Sequence, residues 1–418
     1  MSNVISESKA IPKLAQLKEW SVYGLVFLFP IAGIGVRHWF STIFTLLVLI
    51  SLWDLVRYWG KRPPLQKQEK VWLWLCAAFF LSFVVSALIN GWGHVQSRSL
   101  GVDIRYLLVV PLYLMLRQYV YAWRFLLVGL FFTAPYLAGL AYYDVYELGR
   151  DRAQGEYSPN IMGPLAALTA FWLLSSWDSL GKIRWVLPLF VISALWATAM
   201  TGSRGAFAGV IAMGLVWGWL HLKQSWRWGG VVCVLLIPVG IYHASDSVAF
   251  RIDTSVAEAT TYFQKLEEGE HYAGSGTAVR FEMWRGGWLV FQDAPVLGVG
   301  RGNYTRAVQQ YVEQGRLPPE VAQHGHAHNA YVDMLIAGGV VGLVVFLGVL
   351  FYPLYYMLKS YRLSPESAIF GILHVTGFAV FSLTDASTFI KGNFVSIFLF
   401  GMTIFFSWHV RRVNERSS

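Results

Sequence analysis

"HGHAHNAYVDMLIAGGVVGLVVFLGVLFYPLYY", residues 324–356, sets three histidines at the entrance of a long apolar run. From Asn329 to Tyr356 the run holds a single carboxylate, Asp333, and no lysine or arginine. A helix needs roughly 20 apolar residues to cross a bilayer, so the stretch reads as a membrane span with a polar mouth. Similar runs occur near 17–36, 39–56, 71–91, 102–118, 124–143, 160–177, 184–200, 204–222, 228–245, 366–384 and 388–410. The composition agrees. With 56% hydrophobic and 14% charged residues, the 418-residue chain is too apolar for a soluble globular protein. The 19 Trp and 21 Tyr suit the aromatic belts of bilayer interfaces.

Charge orients the spans. Lys9, Lys13 and Lys18 precede the first, and Arg411, Arg412 and Arg416 follow the last. The even-numbered connections carry Arg57/Lys61/Arg62/Lys67/Lys70, Arg117/Arg124, Lys182/Arg184, Lys223/Arg227 and Lys359/Arg362. The positive-inside rule makes both termini and these connections cytoplasmic. The segment from about 246 to 327 then faces outward, too polar to span. Within it "TAVRFEMWRGGWLVFQ" repeats Phe281, Trp284, Trp288 and Phe291 at helical spacing, predicting one apolar helix face, and "YTRAVQQYV" does the same with Tyr304, Val308, Tyr311 and Val312. The expected fold is an all-α polytopic membrane protein of about twelve transmembrane helices. Nine lie in residues 1–245, a mainly helical outer loop domain occupies 246–327, and three helices with a cytoplasmic C-terminus fill 328–418.

Residues 1–16 are polar, and the first apolar segment reads as a retained span, not a cleavable signal. Cys76 and Cys233 lie in apolar runs, so neither a disulfide nor a zinc framework is expected. The net charge of +9 would suit nucleic acid, but its distribution across a membrane matters more than its sum, and no nucleic-acid partner is expected. Sorted by topology, the 33 basic residues fall 19 inside and 14 outside, and of the outer set only Lys265 and Lys391 are lysine. Arginine offers a planar donor fork suited to phosphate and keeps its charge when desolvated. An Arg-rich outer face therefore points to an anionic, phosphorylated ligand, against the plainer reading of arginines that only snorkel. Arg204 in "TGSRGAFAG" stands in a glycine-flanked turn at a helix start, and Arg280 in "GSGTAVR" enters the outer domain's first turns. No Walker, Rossmann or GxSxG motif supports nucleotide-driven or serine-hydrolase chemistry.

His324, His326 and His328 admit three readings: metal ligands at alternate positions, a general base, or a polar helix entrance. The nearby segment lacks a Cys or carboxylate cluster apart from Asp333, which speaks against metal. His328 gains weight as a base because it opens the helix at the interface where the arginines gather. Asp385, in "SLTDAST", lies on another outward loop and could orient a histidine or an arginine.

These residues resemble the O-antigen ligase family. "HNAYVDMLIAGGVVG" is similar to its histidine motif, through His328, Asn329, Gly339 and Gly342; "TGSRG" resembles its arginine turn, and "GSGTAVRFEMWRGGW" with "PVLGVGRGNY" its large outer loop. Asp385 matches a late aspartate, and Arg152, in "RDRAQGEYSPN", a weaker arginine position. The resemblance implies a metal-independent, cofactor-free glycosyltransferase of the bacterial inner membrane, working at the periplasmic face. Its donor would be a polysaccharide on undecaprenyl diphosphate and its acceptor the lipid A–core oligosaccharide. Arg204 and Arg280 would bind the diphosphate, His328 would deprotonate the acceptor, and Asp385, Asn329 and Arg152 would support them. O-antigen polymerases and protein O-oligosaccharyltransferases share looser forms of the motif. A transporter is the rival of another class, but transporters bind substrate at mid-membrane on broken helices, whereas here the distinctive polar residues gather at one face.

Overall fold

The computed structural model describes residues 16–417 apart from 59, 61, 245 and 275. Lys9, Lys13 and Lys61 of the expected inner charges, and the polar segment ahead of residue 16, lie outside the described residues. The fold is all-helical, with no strand among the described residues. In chain order the α-helices are α1 (residues 16–28), α2 (Trp39–Arg57), α3 (Lys67–Asn90), α4 (His94–Asp103), α5 (Arg105–Leu116), α6 (Ala122–Tyr142), α7 (Pro159–Ser175), α8 (Leu187–Thr201), α9 (Arg204–His221) and α10 (Gln224–Ala244). Then come α11 (Asp246–Glu267), α12 (Thr277–Asp293), α13 (Tyr304–Glu313), α14 (Ala330–Lys359), α15 (Pro365–Thr384), the short α16 (Ser387–Ile390) and α17 (Gly392–Ser417).

Among the described residues, eight helical stretches are long and apolar enough to cross a membrane: Trp39–Arg57, Lys67–Asn90, His94–Leu116, Ala122–Glu147, Gly181–Thr201, Ala330–Lys359, Pro365–Thr384 and Gly392–Ser417. They make the chain a multi-pass membrane protein. The other four expected spans coincide with α1, α7, α9 and α10, which are helical but outside that set of eight. The run 17–36 stays helical only to residue 28, because Pro30, Gly33 and Gly35 follow and break it. The run 102–118 instead begins early, at His94, since Asp103 is not a lipid-facing charge but half of a buried ion pair.

α17 is apolar on every side over its central stretch and runs through the centre, with every residue from Phe394 to Val410 buried. Phe29 stacks on Phe400 at 3.8 Å, and Trp123 on Trp408 at 4.3 Å. α9 packs closely on α15, where Gly205 meets Thr384 and Gly209 meets the Phe381 ring; a Cβ at either glycine would collide.

α14 is broken inside. Gly339 has φ 58° and ψ −156°, a backbone only glycine tolerates. Into the gap fits the loop 295–300. Val340 and Val341 donate their N–H groups to Pro295 and Val296, while Val299 and Gly300 donate to the carbonyls of Ile336 and Ala337. The break thus loses no backbone hydrogen bond at these positions. Of the two motif glycines, Gly342 lies against the Phe83 ring, whereas Gly339 serves the chain reversal.

Residues 246–327 build a second, smaller core from Met283, Val290, Tyr304, Val308, Tyr311, Leu317 and Val321, closed by Ile336 of α14. α13 buries Tyr304, Val308 and Tyr311 as its spacing predicts. α12 does not bury its aromatic row. Trp288 is exposed, and the packed face carries Ala278, Val279, Met283, Gly286, Gly287 and Val290. The two glycines bring α12 against Leu317, Val332 and Ile336, a closer contact than a row of indoles permits.

Candidate active site

A cavity of about 450 Å³ opens where the α8–α9 turn, α11, the start of α12 and the α15–α16 junction meet. Arg152, Arg204, Arg280 and Asp385 all line it, from four separate stretches of sequence. Arg251 of α11 lines it too, as do Ser203, Ser255, Glu258, Thr384 and Thr388.

The arginine turn folds as its residues dictate. Gly202 ends α8 in the left-handed region (φ 54°), where glycine avoids the Cβ penalty, and Ser203 is the N-cap of α9. Arg204 is thus the first residue of α9, at the positive end of its dipole. Its guanidinium donates to the Thr277 hydroxyl at 3.2 Å and to that of Ser255, joining α9 to α11 and α12. Glu258 accepts the Thr277 N–H at 2.6 Å and anchors the same corner. Arg152 donates to the Thr201 carbonyl at 2.6 Å. The guanidiniums of Arg251 and Arg280 have no hydrogen-bond acceptor among the described residues.

Four arginines here face two carboxylates. Burial lowers the Arg152 pKa, and the positive charges of Arg251 and Arg204 lower it further. Burial and then Arg204 act likewise on Arg280, opposed by Asp385. The site is short of negative charge, as befits a receptor for a polyvalent anion.

His328 stands beside this cavity. A ligand atom of its ring, one of His326 and one of Asp385 all lie within 4.8 Å of each other. Its backbone is left-handed, φ 50°, a strained state for a residue with a Cβ. What holds it is local. Asn329 caps α14, its Oδ1 accepting from Tyr331 at 2.9 Å and Val332 at 3.2 Å, and the His328 N–H donates to His326 Nδ1 at 3.2 Å. The His328 Nδ1 is buried without a hydrogen-bond partner among the described residues. Burial pulls the His328 pKa down to about 4, with help from His326, Arg280 and His324, while Asp385 opposes the shift. At neutral pH the ring is neutral and able to accept a proton. His324 is also lowered, by burial first and then by His326 and Arg280. Asp385 is itself fixed, its Oδ1 accepting the Ser387 N–H at 2.8 Å.

His326, His328 and Asp385 are also a possible metal triad. Ligands on zinc at 2.0–2.1 Å would sit roughly 3.4 Å apart. Hydrogen bonds to His326 Nδ1 and Asp385 Oδ1 leave His326 Nε2 and the second Asp385 oxygen as ligand atoms, and Arg280 adds a cation nearby.

Arg301, 4% exposed, was not singled out by sequence. It pairs in bidentate fashion with Asp103 of α4 (2.8 Å twice), donates to the Phe389 carbonyl at 2.8 Å and lies 3.7 Å from Asp333. One cation thereby ties the first turn of the histidine helix to the turn that carries Asp385. Asp333, the lone carboxylate near the histidines in the sequence, is part of this tie, and its Oδ1 accepts from the Ala327 N–H at 3.4 Å. Arg251 was also missed: nothing in "AFRIDTS" marks it, and only the packing of α11 brings it to the cavity.

The stretch carrying most of this site matches a family model described as O-antigen ligase. The match covers residues 189–347. That stretch supplies Arg204, Arg251, Arg280, Arg301 and His328; Arg152 and Asp385 come from outside it and complete the cavity. The chain is also similar to an uncharacterized protein of Haemophilus influenzae, 22% identical over 362 residues, covering 83% of this chain and 88% of the other.

Proposed function

We propose that the protein is an O-antigen ligase: a metal-independent glycosyltransferase that moves O-antigen polysaccharide from undecaprenyl diphosphate to the lipid A–core oligosaccharide. What carries the reading is the convergence of four arginines on one cavity with a neutral histidine beside it, most of them in the stretch that matches this family. The donor's diphosphate sits among Arg204, Arg280, Arg152 and Arg251. His328 takes the proton of the acceptor hydroxyl as its oxygen attacks the anomeric carbon. A glycosidic C–O bond forms, the bond from that carbon to phosphate oxygen breaks, and undecaprenyl diphosphate leaves with its electron pair held by the arginines. Bringing the diphosphate close also raises the His328 pKa from its low resting value, strengthening the base only when donor is bound.

Twelve spans with cytoplasmic termini, the domain limits 1–245, 246–327 and 328–418, and a periplasmic active site follow from the charge pattern. A deletion strain tests the function. Full-length lipid-linked polymer with bare core supports ligation; single-repeat caps on the core would make the protein a polymerase, and capped core with normal polymer would remove both readings.

A further inference from the structure

α11 is polar overall, yet it carries an apolar stripe that nothing described covers. At 100° per residue, Ile252, Val256, Ala259, Phe263 and Leu266 fall within an arc of about 80°. Ile252 is 40% exposed, Val256 60%, Phe263 54% and Leu266 41%, so the stripe is neither core nor loop trim. Phe263 meets the Phe281 ring at 5.6 Å and the Tyr262 ring at 5.4 Å, and its remaining surface is open. Four hydrophobic side chains in register on one exposed face are not scattered surface residues.

Two neighbours say what covers the stripe. The preceding helix, α10, leaves Val232, Leu235, Leu236 and Val239 exposed in a multi-pass membrane protein, so the apolar surface continues from α10 toward α11. The chain turns sharply between them. Tyr242 donates to Asp253 at 2.9 Å, whereas a straight helix would hold residues that far apart at about 16 Å. On the other side, Arg251, Thr254, Ser255 and Glu258 line the cavity, centred roughly 110° around the helix from the stripe. A helix resting on a lipid surface by its stripe would therefore hold the arginine cavity beside the headgroups. The flanks carry Asp253 and Glu267 as well as Lys265, so apolar burial and not attraction to anionic lipid drives the contact.

We propose that α11 is an interfacial helix, seated on the lipid surface by Ile252, Val256, Phe263 and Leu266, and that it sets the cavity mouth at headgroup depth. The proposal stands whether or not the cavity takes a diphosphate. The test uses the full chain, with Cys233→Ser and the buried Cys76 retained, in vesicles of phosphatidylethanolamine and phosphatidylglycerol. Single cysteines replace Ile252, Val256, Phe263 and Leu266, and Thr260 and Gln264 as polar-side controls, and each carries a nitroxide. Collisions with oxygen should exceed those with a water-soluble nickel chelate severalfold at the four stripe sites, and the order should reverse at the controls. Nickel access at the stripe equal to that at the controls would place it in water and overturn the proposal. Shielding of the stripe from both reagents would mean a protein covers it, a second copy included, and would overturn it equally.

Discussion

His328 combines three unusual properties: a left-handed backbone, a buried ring nitrogen without a hydrogen-bond partner among the described residues, and a pKa pushed down to about 4. A base must be deprotonated to work, so activity limited by His328 rises with pH through its pKa and then levels. The donor's kcat/KM, which reports the donor-free enzyme, should therefore be flat from pH 6 upward and fall only toward about 4. The acceptor's kcat/KM, which reports the donor-bound enzyme, should show its limb at higher pH. A donor profile with its limb at 7 or above would overturn the lowered His328 pKa. His328→Ala should lower transfer on the order of 10²–10⁴-fold with donor binding retained, and His324→Ala and His326→Ala should do less. Glycan transfer and donor binding, compared at equal membrane expression, decide between them.

The arginines predict differently. Arg204→Lys and Arg280→Lys keep the charge but lose the fork that bridges two acceptors. Both should transfer poorly and bind donor weakly; near-normal ligation by both would mean that positive potential suffices. Arg251 was invisible to pattern reading because its helix looks like surface, yet its side chain lines the same cavity and has no hydrogen-bond acceptor among the described residues. Arg251→Gln should weaken donor binding while thermal stability in detergent stays unchanged.

At the scale of elements, the break in α14 and the loop 295–300 are one device. Gly339→Ala would put a Cβ into the Pro295–Val296 backbone at a φ of 58°. We expect at least ~1–3 kcal/mol of destabilisation, read as a fall in melting temperature in detergent and loss of the folded fraction. Arg301 joins four segments, so removing it alone strands the Asp103 carboxylate in the interior. Arg301→Met should destabilise by about 3–5 kcal/mol, and adding Asp103→Leu should return much of that loss. If the double variant is no better than the single one, Arg301 is not acting through the ion pair.

Over the whole molecule, the chemistry is assigned to fixed charges and a neutral imidazole. Ligation should survive excess EDTA; loss that zinc or magnesium restores would turn His326, His328 and Asp385 into a metal site. The proposed topology has its own check. A cysteine at Arg306 should react with an impermeant thiol reagent added outside spheroplasts and one at Lys359 should not; the reverse would invert the protein.

The sequence by itself determined what local chemistry can encode. Apolar runs wrote the membrane helices, because crossing lipid demands apolar length and internal hydrogen bonding. Gly202 wrote the arginine turn, since the left-handed end of α8 needs that residue type. Asn329 wrote the cap that positions His328. Only the tertiary structure decided the rest. The convergence of Arg152, Arg204, Arg251, Arg280 and Asp385 depends on helix packing between stretches far apart in the chain, which no spacing within one stretch records. α12 turned its glycines inward and its Trp288 outward, because close approach to α14 outweighed the area of an indole row. Asp103 and Arg301 look like interruptions of apolar sequence until each is seen to be the other's partner, and a buried charge is tolerable only when such a partner is within reach.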